Sequence, residues 1–227
     1  MGRFNLIVIL IVVLFCSCAT IQNNAKYELS NGTYKLKIEG KTNKFYIENK
    51  EDTILVHNLN SNVYTSLPKN MANENFTKHQ LIKPSLDIDI LTALFKIRPK
   101  IENALPTQMN TNFNGNLYIG RRTDIYQIQY KKNHLNNFQR QINHFGFSAG
   151  VFLGLGNTAM TPSTTRNGIM TEYDGLILQK GIASIIAVNK LTLGLSIGFD
   201  NLLDQNKNVW IYQNKPWYGL MLGLNLN

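Results

Sequence analysis

The sequence predicts an all-β protein: a small antiparallel up-and-down β-barrel of six to eight strands, preceded by a short β-meander and a signal peptide. Three observations predict it. Large apolar residues alternate with small ones through the second half of the chain, which is typical of strands with two different faces. Asn-Gly and Glu-Gly pairs mark turns in the first half. An apolar run opens the chain just before two cysteines, as in secretory signals.

Residues 1–17 have the pattern of a lipoprotein signal peptide. Arg3 precedes an apolar run that is shorter than the roughly 20 residues a membrane-crossing helix needs. The run ends in FCSC. Ser17 is small, as the residue before a lipidated bacterial cysteine is, whereas Phe15 is large, so we predict lipidation of Cys18. An uncleaved anchor with two incidental cysteines is the alternative.

Composition excludes several classes of function. The two cysteines of the chain both lie in the signal segment, so the remainder offers no disulfide and no thiol for catalysis or metal binding. The formal net charge is +9, but the lysines and arginines are scattered. Nucleic-acid-binding proteins carry a clustered basic patch, so we expect no nucleic-acid partner.

The first half of the chain is predicted to be a tether and N-terminal β-meander over residues 18–60, then a linker over residues 61–84. Strand patterns cover Thr33–Ile38, Lys44–Glu48 and Thr53–His57. The segment after them is polar and contains two prolines, which is typical of loops.

Residues 85–227 are predicted to form the barrel-like domain. Its clearest strands lie in HFGFSAGVFLGLGN, KLTLGLSIGFD and WYGLMLGLNL, where Gly, Ser and Thr occupy most of the second face. Residues 173–188 are a weaker strand pattern, because Lys180 interrupts the apolar face. The apolar parity changes between Ile119 and Tyr126, which predicts a bulge or hairpin near Arg121–Asp124.

The second face distinguishes a soluble sandwich from a membrane barrel. A sandwich exposes Lys, Glu, Thr and Arg on its outer face, whereas small residues suit the crowded interior of a small closed barrel. The apolar face is continuous for about 10 residues in three strands, and a tilted strand crosses a bilayer with roughly 9–11. Because a sheet can span lipid only when it closes, we expect the apolar face to lie outside.

Charged and aromatic residues predict the lumen and the membrane surface. Charges are costly against lipid, so we predict inward, paired positions for the charges of the barrel strands: Asp87, Asp89, Arg121, Arg122 and Asp124. Aromatic girdles mark the headgroup level in outer-membrane barrels, so we predict interfacial positions for Trp210, Tyr212, Trp217 and Tyr218. Aromatic core filling is the alternative for these four.

Loop lengths predict an orientation. Outer-membrane barrels have short periplasmic turns and long external loops. With the C-terminus in the periplasm, the 201–216 and 157–172 connections are long and external, and Asn189-Lys190 is a short turn. The 131–144 connection reads as long where the rule requires a short one. The start of the barrel lies on the same side as Cys18.

No catalytic, cofactor or metal motif is predicted. Gly154–Ala159 matches a loose GxGxxA, but no helical pattern follows it, as a dinucleotide site requires. The four histidines lack metal-ligand spacing. Asp87 and Asp89 share a strand face, which fits an ion pair with Arg121 or Arg122 better than an acid/base pair. We expect no enzymatic activity and no cofactor.

The chain also resembles a known group of proteins in the stretches LSNGTYKLK, KPSLDIDIL, FNGNLYIGRRTDIYQIQY, FGFSAGVFLGLG and WIYQNKPWYGLMLGLNL. It is similar there to uncharacterised envelope proteins of Bacteroidota, which combine a lipoprotein-type signal, a short β-rich segment and an outer-membrane β-barrel-like half. The resemblance implies a location in the outer membrane and says nothing about activity. Surface-exported lipoproteins of this phylum tend to carry acidic residues just after the lipidated cysteine, and their absence from ATIQNN implies a tether on the periplasmic side.

Two functions stay open. The first is an outer-membrane-associated, lipid-anchored β-barrel protein with a structural or interaction role in the cell envelope, with membrane lipid and a larger envelope complex as partners. The second is a soluble periplasmic, lipocalin-like carrier of an apolar ligand. Barrels in lipid are apolar outside, whereas carriers are apolar inside. The Gly and Ser face of the strands favours the first function.

Overall fold

Twelve strands form one antiparallel sheet in the computed structural model of the chain. The structure describes residues 28–38, 41–59, 63–71, 78–102, 104–134, 136–189 and 191–225. The strands are β1 (Gly32–Ile38), β2 (Lys41–Asn49), β3 (Thr53–Asn58), β4 (Tyr64–Pro68), β5 (Asn70–Met71), β6 (His79–Arg98), β7 (Gln108–Asn110), β8 (Asn114–Lys132), β9 (Phe138–Met160), β10 (Tyr173–Val188), β11 (Leu191–Leu202) and β12 (Pro216–Asn225). Short 3-10 helices occupy Ser163–Thr165 and Gln205–Asn208. The predicted all-β, antiparallel class is confirmed.

Six of these strands close on themselves. In the order β6, β8, β9, β10, β11 and β12, each pairs with the next, and β12 pairs back with β6. We call this the six-stranded ring. Paired residues lead around it from Ile88 through Ile119, Val151, Ile182, Ile197 and Tyr218 back to β6 at Ile97. Following these pairs once around the ring leads to a residue of β6 that lies nine positions beyond the starting residue, so the strands are tilted.

Glycine permits such a small ring to close. A Cβ atom at Gly150 would overlap the backbone of Ile119 on the neighbouring strand, and one at Gly198 would overlap the indole ring of Trp217. At these two positions, glycine stands where a larger residue has no room.

The remaining large strands extend the sheet beyond one end of the ring. β1 pairs with the first part of β6 at Leu81 and Ile82, and β2, β3 and β4 follow in order. β5 comes directly after β4 and pairs with the start of β9, so the far edge of the sheet curls back onto the β8–β9 hairpin. We call β1–β5 with the adjoining ends of β6, β8 and β9 the N-terminal sheet. Its apolar core contains Leu29, Tyr34, Leu36, Phe45, Ile47, Ile54, Val56, Leu67, Leu81, Tyr126 and Ile128.

The predicted linker over residues 61–84 is wrong within the described residues, because β4, β5 and the start of β6 lie there. Pro84 did not end the strand. On one side of β6 the partner is β1 as far as Ile82 and β12 from Asp89 onward. Pro84 lies between these two ladders, where the described residues offer no partner on that side, so its missing N–H is tolerated.

The connection predicted at 131–144 shrinks to residues 133–137, because β8 continues to Lys132 and β9 begins at Phe138. The extra strand residues belong to the N-terminal sheet. At the opposite end, which we call the far end of the ring, residues 161–172 and 203–215 form long connections.

Candidate functional site

Apolar side chains predominate on the outer surface of all six strands of the ring, where Arg121 and Lys180 are also exposed. The apolar side chains of this surface, which we call the apolar belt, are between 37% and 66% exposed. The belt includes Leu86, Ile90, Leu94, Ile97, Leu117, Ile119, Phe145, Phe147, Val151, Leu153, Leu155, Leu176, Ile182, Ile186, Val188, Leu193, Leu195, Ile197, Phe199, Tyr218 and Leu222. Monomeric soluble proteins rarely expose a continuous apolar surface of more than a few hundred Å², so the belt is unusual for a monomeric protein in water.

The middle of the ring interior is filled by apolar side chains. They form one buried cluster, the apolar septum, of Leu91, Ala93, Tyr118, Phe152, Ala183, Ile185, Trp217 and Met221. The rings of Phe152 and Trp217 pack with their centres 5.9 Å apart. The septum divides the interior into two compartments, and each contains buried charges.

The compartment next to the N-terminal sheet holds an acidic cluster. Arg122 Nε donates to Asp124 Oδ1 at 2.8 Å, and its Nη1 lies 3.7 Å from Asp87 Oδ1. His144 Nε2 lies 2.7 Å from the same oxygen of Asp124. Asp89 is buried in the same compartment. Asp87 and Asp124 thus share Arg122, and four of the five predicted lumenal charges lie here.

Two tyrosines cover the acidic cluster on the side of the N-terminal sheet. Tyr126 packs 4.9 Å from the His144 ring, and Tyr34 meets Tyr126 edge-on at 5.8 Å between ring centres. The Tyr34 hydroxyl donates to the Ser30 carbonyl at 2.8 Å. Burial nevertheless raises the pKa of Tyr34, because the ionised phenolate would be poorly solvated.

The far compartment holds a basic cluster that the sequence analysis missed. Arg98 and Lys96 both bind Asp200, and the indole of Trp217 donates to Asp200 Oδ1 at 2.8 Å. Strict alternation from Leu86 places Lys96 and Arg98 on the outer face. The register of β6 shifts opposite Leu220 and Met221, and this shift turns both cations inward. No signal in the sequence marks it.

Arg121 corrects the predicted set of lumenal charges. β8 keeps one register against both β6 and β9 through this region, so the expected bulge or hairpin near Arg121–Asp124 is wrong. Simple alternation buries Arg122 and Asp124 and leaves Arg121 exposed on the outside of the ring.

The parity change that suggested a bulge has another cause. Apolar side chains change from the outer to the inner face where a strand passes from the ring into the N-terminal sheet. On β8, Leu117 and Ile119 are exposed on the outside, whereas Tyr126 and Ile128 are buried inside. β6 and β9 show the same inversion in the pairs Leu86 and Leu81, and Phe145 and Ile142. The side of the strands that carries the apolar residues therefore changes between the ring and the N-terminal sheet, while the backbone of each strand continues without a break.

Three of the four predicted interfacial aromatics lie inside the protein. Trp210, Tyr212 and Trp217 are buried, and only Tyr218 faces outward, 49% exposed. Trp217 has inward parity and fills the septum, while Trp210 and Tyr212 pack over the far end of the ring with Met160, Ile177 and Leu202. The girdle is therefore wrong for these three, and core filling describes them.

The predicted lipidation site, Cys18, and the signal peptide lie outside the described residues. Within the described part of the chain, no helix is both long and apolar enough to cross a membrane. The same residues contain no group of three or more His, Cys, Asp or Glu side chains that could hold a metal ion.

Comparison with known proteins adds no family: no family model, no curated protein and no solved structure matches the chain. The geometry of the belt, the septum and the two charge clusters is therefore the basis for a functional assignment.

Proposed function

We propose that the six-stranded ring is embedded in the outer membrane and anchors the N-terminal sheet, giving the protein a structural or interaction role in the cell envelope. The inversion of apolar side chains along β6, β8 and β9 carries this proposal. Burying apolar surface contributes roughly 25 cal/mol per Å², so a belt left in water forfeits a large stabilisation. With the ring in a bilayer, its outer face contacts lipid tails. The inner face of the N-terminal sheet packs into its own apolar core, so both apolar faces have apolar surroundings.

The dimensions and closure of the ring support membrane insertion. The outer apolar face of β9 runs from Phe145 to Leu155, a length close to the roughly 9–11 residues of a tilted membrane strand. Because the ring is closed, its backbone groups pair between strands, as lipid requires. The buried charges face one another inside the ring, where they avoid lipid.

The outside of the ring also offers room for acyl chains. A shallow depression of about 810 Å³ lies on the belt and is lined by residues such as Phe95, Ala149, Ile182, Leu195 and Leu220. The small side chain of Ala149 leaves this space between larger neighbours. Membrane lipid is the partner that this surface fits.

Loop lengths support an orientation with the N-terminal sheet in the periplasm. The 133–137 connection is short on that side, and the far end carries the long connections 161–172 and 203–215. This is the asymmetry of outer-membrane barrels. A lipid on Cys18 would tether the chain on the same side, and the polar outer face of the N-terminal sheet would be available to a larger envelope complex.

The filled interior favours anchoring over transport. The septum blocks the ring at mid-height, and both compartments are occupied by paired side chains. A carrier of an apolar ligand needs an apolar pocket inside the barrel, whereas here the large apolar residues of the ring cover its outside. The lipocalin-like alternative is therefore the weaker one.

Washing membranes with alkaline carbonate tests the proposal. The variant Cys18→Ala removes the proposed lipid, so only the ring can hold the protein. We expect it to stay in the membrane pellet. The matched variant with Cys18→Ala, Val151→Arg and Leu195→Arg should be released, because two charges then face lipid. Complete release of Cys18→Ala alone would favour the carrier. Loss of palmitate labelling in Cys16→Ala, but not in Cys18→Ala, would show that Cys16 carries the lipid instead of Cys18.

A further inference from the structure

A small cavity opens at the far end of the ring. It has a volume of about 290 Å³ and lies between the end of β6 and the start of β12. Its lining includes Lys100, Ile101, Glu102, Tyr212, Lys215 and Pro216. Ligand pockets usually measure roughly 300–1,000 Å³, so this cavity suits a small molecule. It lies outside the belt, the septum and the two charge clusters.

Tyr212 lines the cavity and carries a buried hydroxyl group that is an unused hydrogen-bond donor. The residue is only 3% exposed, yet its hydroxyl has no hydrogen-bond partner among the described residues. Buried polar groups are nearly always paired, and an unpaired one is costly. Burial raises the pKa of Tyr212, so its hydroxyl remains protonated and able to donate at neutral pH. An acceptor from outside the chain would satisfy it.

The charges around the cavity are predominantly positive. Lys100 and Lys215 are exposed in its lining, against the single carboxylate of Glu102. Behind Tyr212, the guanidinium carbon of Arg98 lies 4.7 Å from the centre of the tyrosine ring. The basic cluster adds two cations against one carboxylate. Such a concave, positively charged site attracts anions.

We propose that this cavity binds a small organic anion through a carboxylate or phosphate group. Lys100 and Lys215 supply the charge, and the Tyr212 hydroxyl donates a hydrogen bond to the same group. A phosphate of this kind can come from a soluble molecule or from a lipid headgroup. The proposal does not depend on membrane insertion of the ring, since all of its residues lie at the far end.

Tryptophan fluorescence reports binding directly. Trp210 packs 6.1 Å from Tyr212 between ring centres and is one of the two tryptophans in the chain. The full chain in neutral detergent is titrated with glycerol phosphate, inorganic phosphate and benzoate. We expect a saturable signal. Lys100→Gln with Lys215→Gln should weaken binding at least about tenfold, since charge-assisted bonds are lost. Tyr212→Phe keeps the ring and should weaken it several-fold.

A control lysine distinguishes binding at the cavity from nonspecific attraction of anions to surface lysines. Lys207 is exposed on the neighbouring 3-10 helix and does not line the cavity, so Lys207→Gln should leave the affinity unchanged. A response only to vesicles with phosphatidylglycerol, absent with phosphatidylcholine, would identify the headgroup as the source and support the site. The proposal is wrong if no probe gives a response that the double lysine variant removes. It is also wrong if Lys207→Gln weakens binding equally.

Discussion

In the N-terminal sheet, the apolar side chains of β6, β8 and β9 point into a core, whereas in the six-stranded ring those of the same strands point out. The strands cross from one region to the other without a break in the register of β8. Alternation alone therefore defines two faces but not which face is inside. The chemistry of the opposite face decides this: it is polar and exposed in the N-terminal sheet, and small or charged and buried in the ring.

The largest expected effect comes from comparing the inward and the outward arginine of β8 in the ring. Arg122→Met leaves Asp87 and Asp124 without their cation in a buried site, and removing one partner of a buried ion pair costs about 3–5 kcal/mol. Arg121→Met removes the charge of the neighbouring, outward arginine, which faces lipid in the proposed state, and should leave stability unchanged or raise it, because charges are costly against lipid. Denaturant titration followed by heat-modifiable gel mobility measures both. Equal effects would show that the two arginines do not face different surroundings.

A charge on the outer faces of the two regions should give the next largest effect. Leu195 is 66% exposed in the belt, and Leu195→Arg should cost about 2–4 kcal/mol in lipid vesicles. Thr33 is exposed on β1, on the face opposite buried Tyr34, and Thr33→Arg should be almost neutral there. Unfolding in vesicles compares the two variants. If Leu195→Arg is as mild as Thr33→Arg, the belt does not contact lipid.

The smallest effect concerns pH and the N-terminal sheet. The pKa of Tyr34 is raised by burial, so above the ordinary tyrosine value of about 10 the unfolded chain releases this proton while the folded chain retains it. The free energy of unfolding should therefore fall as pH rises above about 10. Below that value Tyr34 is protonated in both states and causes no change of stability with pH. Tyr34→Phe should lessen this fall. Denaturant midpoints at pH 9 and 11 measure it, and identical slopes for both proteins would exclude Tyr34 as the cause.

The strands of the ring could be predicted because their period-two pattern is long and glycine-rich. Even β10 has the predicted bounds of residues 173–188, with Lys180 exposed on its outer face. Large apolar residues opposite glycines define a strand strongly, since only one arrangement of the faces lets a small ring close.

The errors arise where tertiary partners override local pattern. Pro84 suggested a linker, but it occupies a gap between two ladders on β6. Lys96 was missed because a register shift opposite β12 reverses the parity of β6. Trp217 and Tyr218 are adjacent, so only one of them can face lipid. A single sequence contains no signal for the first two of these details, whereas the adjacency of Trp217 and Tyr218 already excludes one of them from the outer face.

Water and lipid accessibility along the outer face of β8 tests the inversion most directly. Single cysteines replace Leu117, Ile119, Thr123, Gln127 and Gln129 in a Cys16→Ser, Cys18→Ser chain, are spin-labelled and are reconstituted in vesicles. These five positions share the outward parity of one unbroken strand. We predict that dissolved oxygen relaxes the labels at 117 and 119, that a water-soluble nickel complex relaxes those at 127 and 129, and that the crossover falls near 123. Uniform access of the nickel complex to all five positions would contradict membrane insertion of the ring.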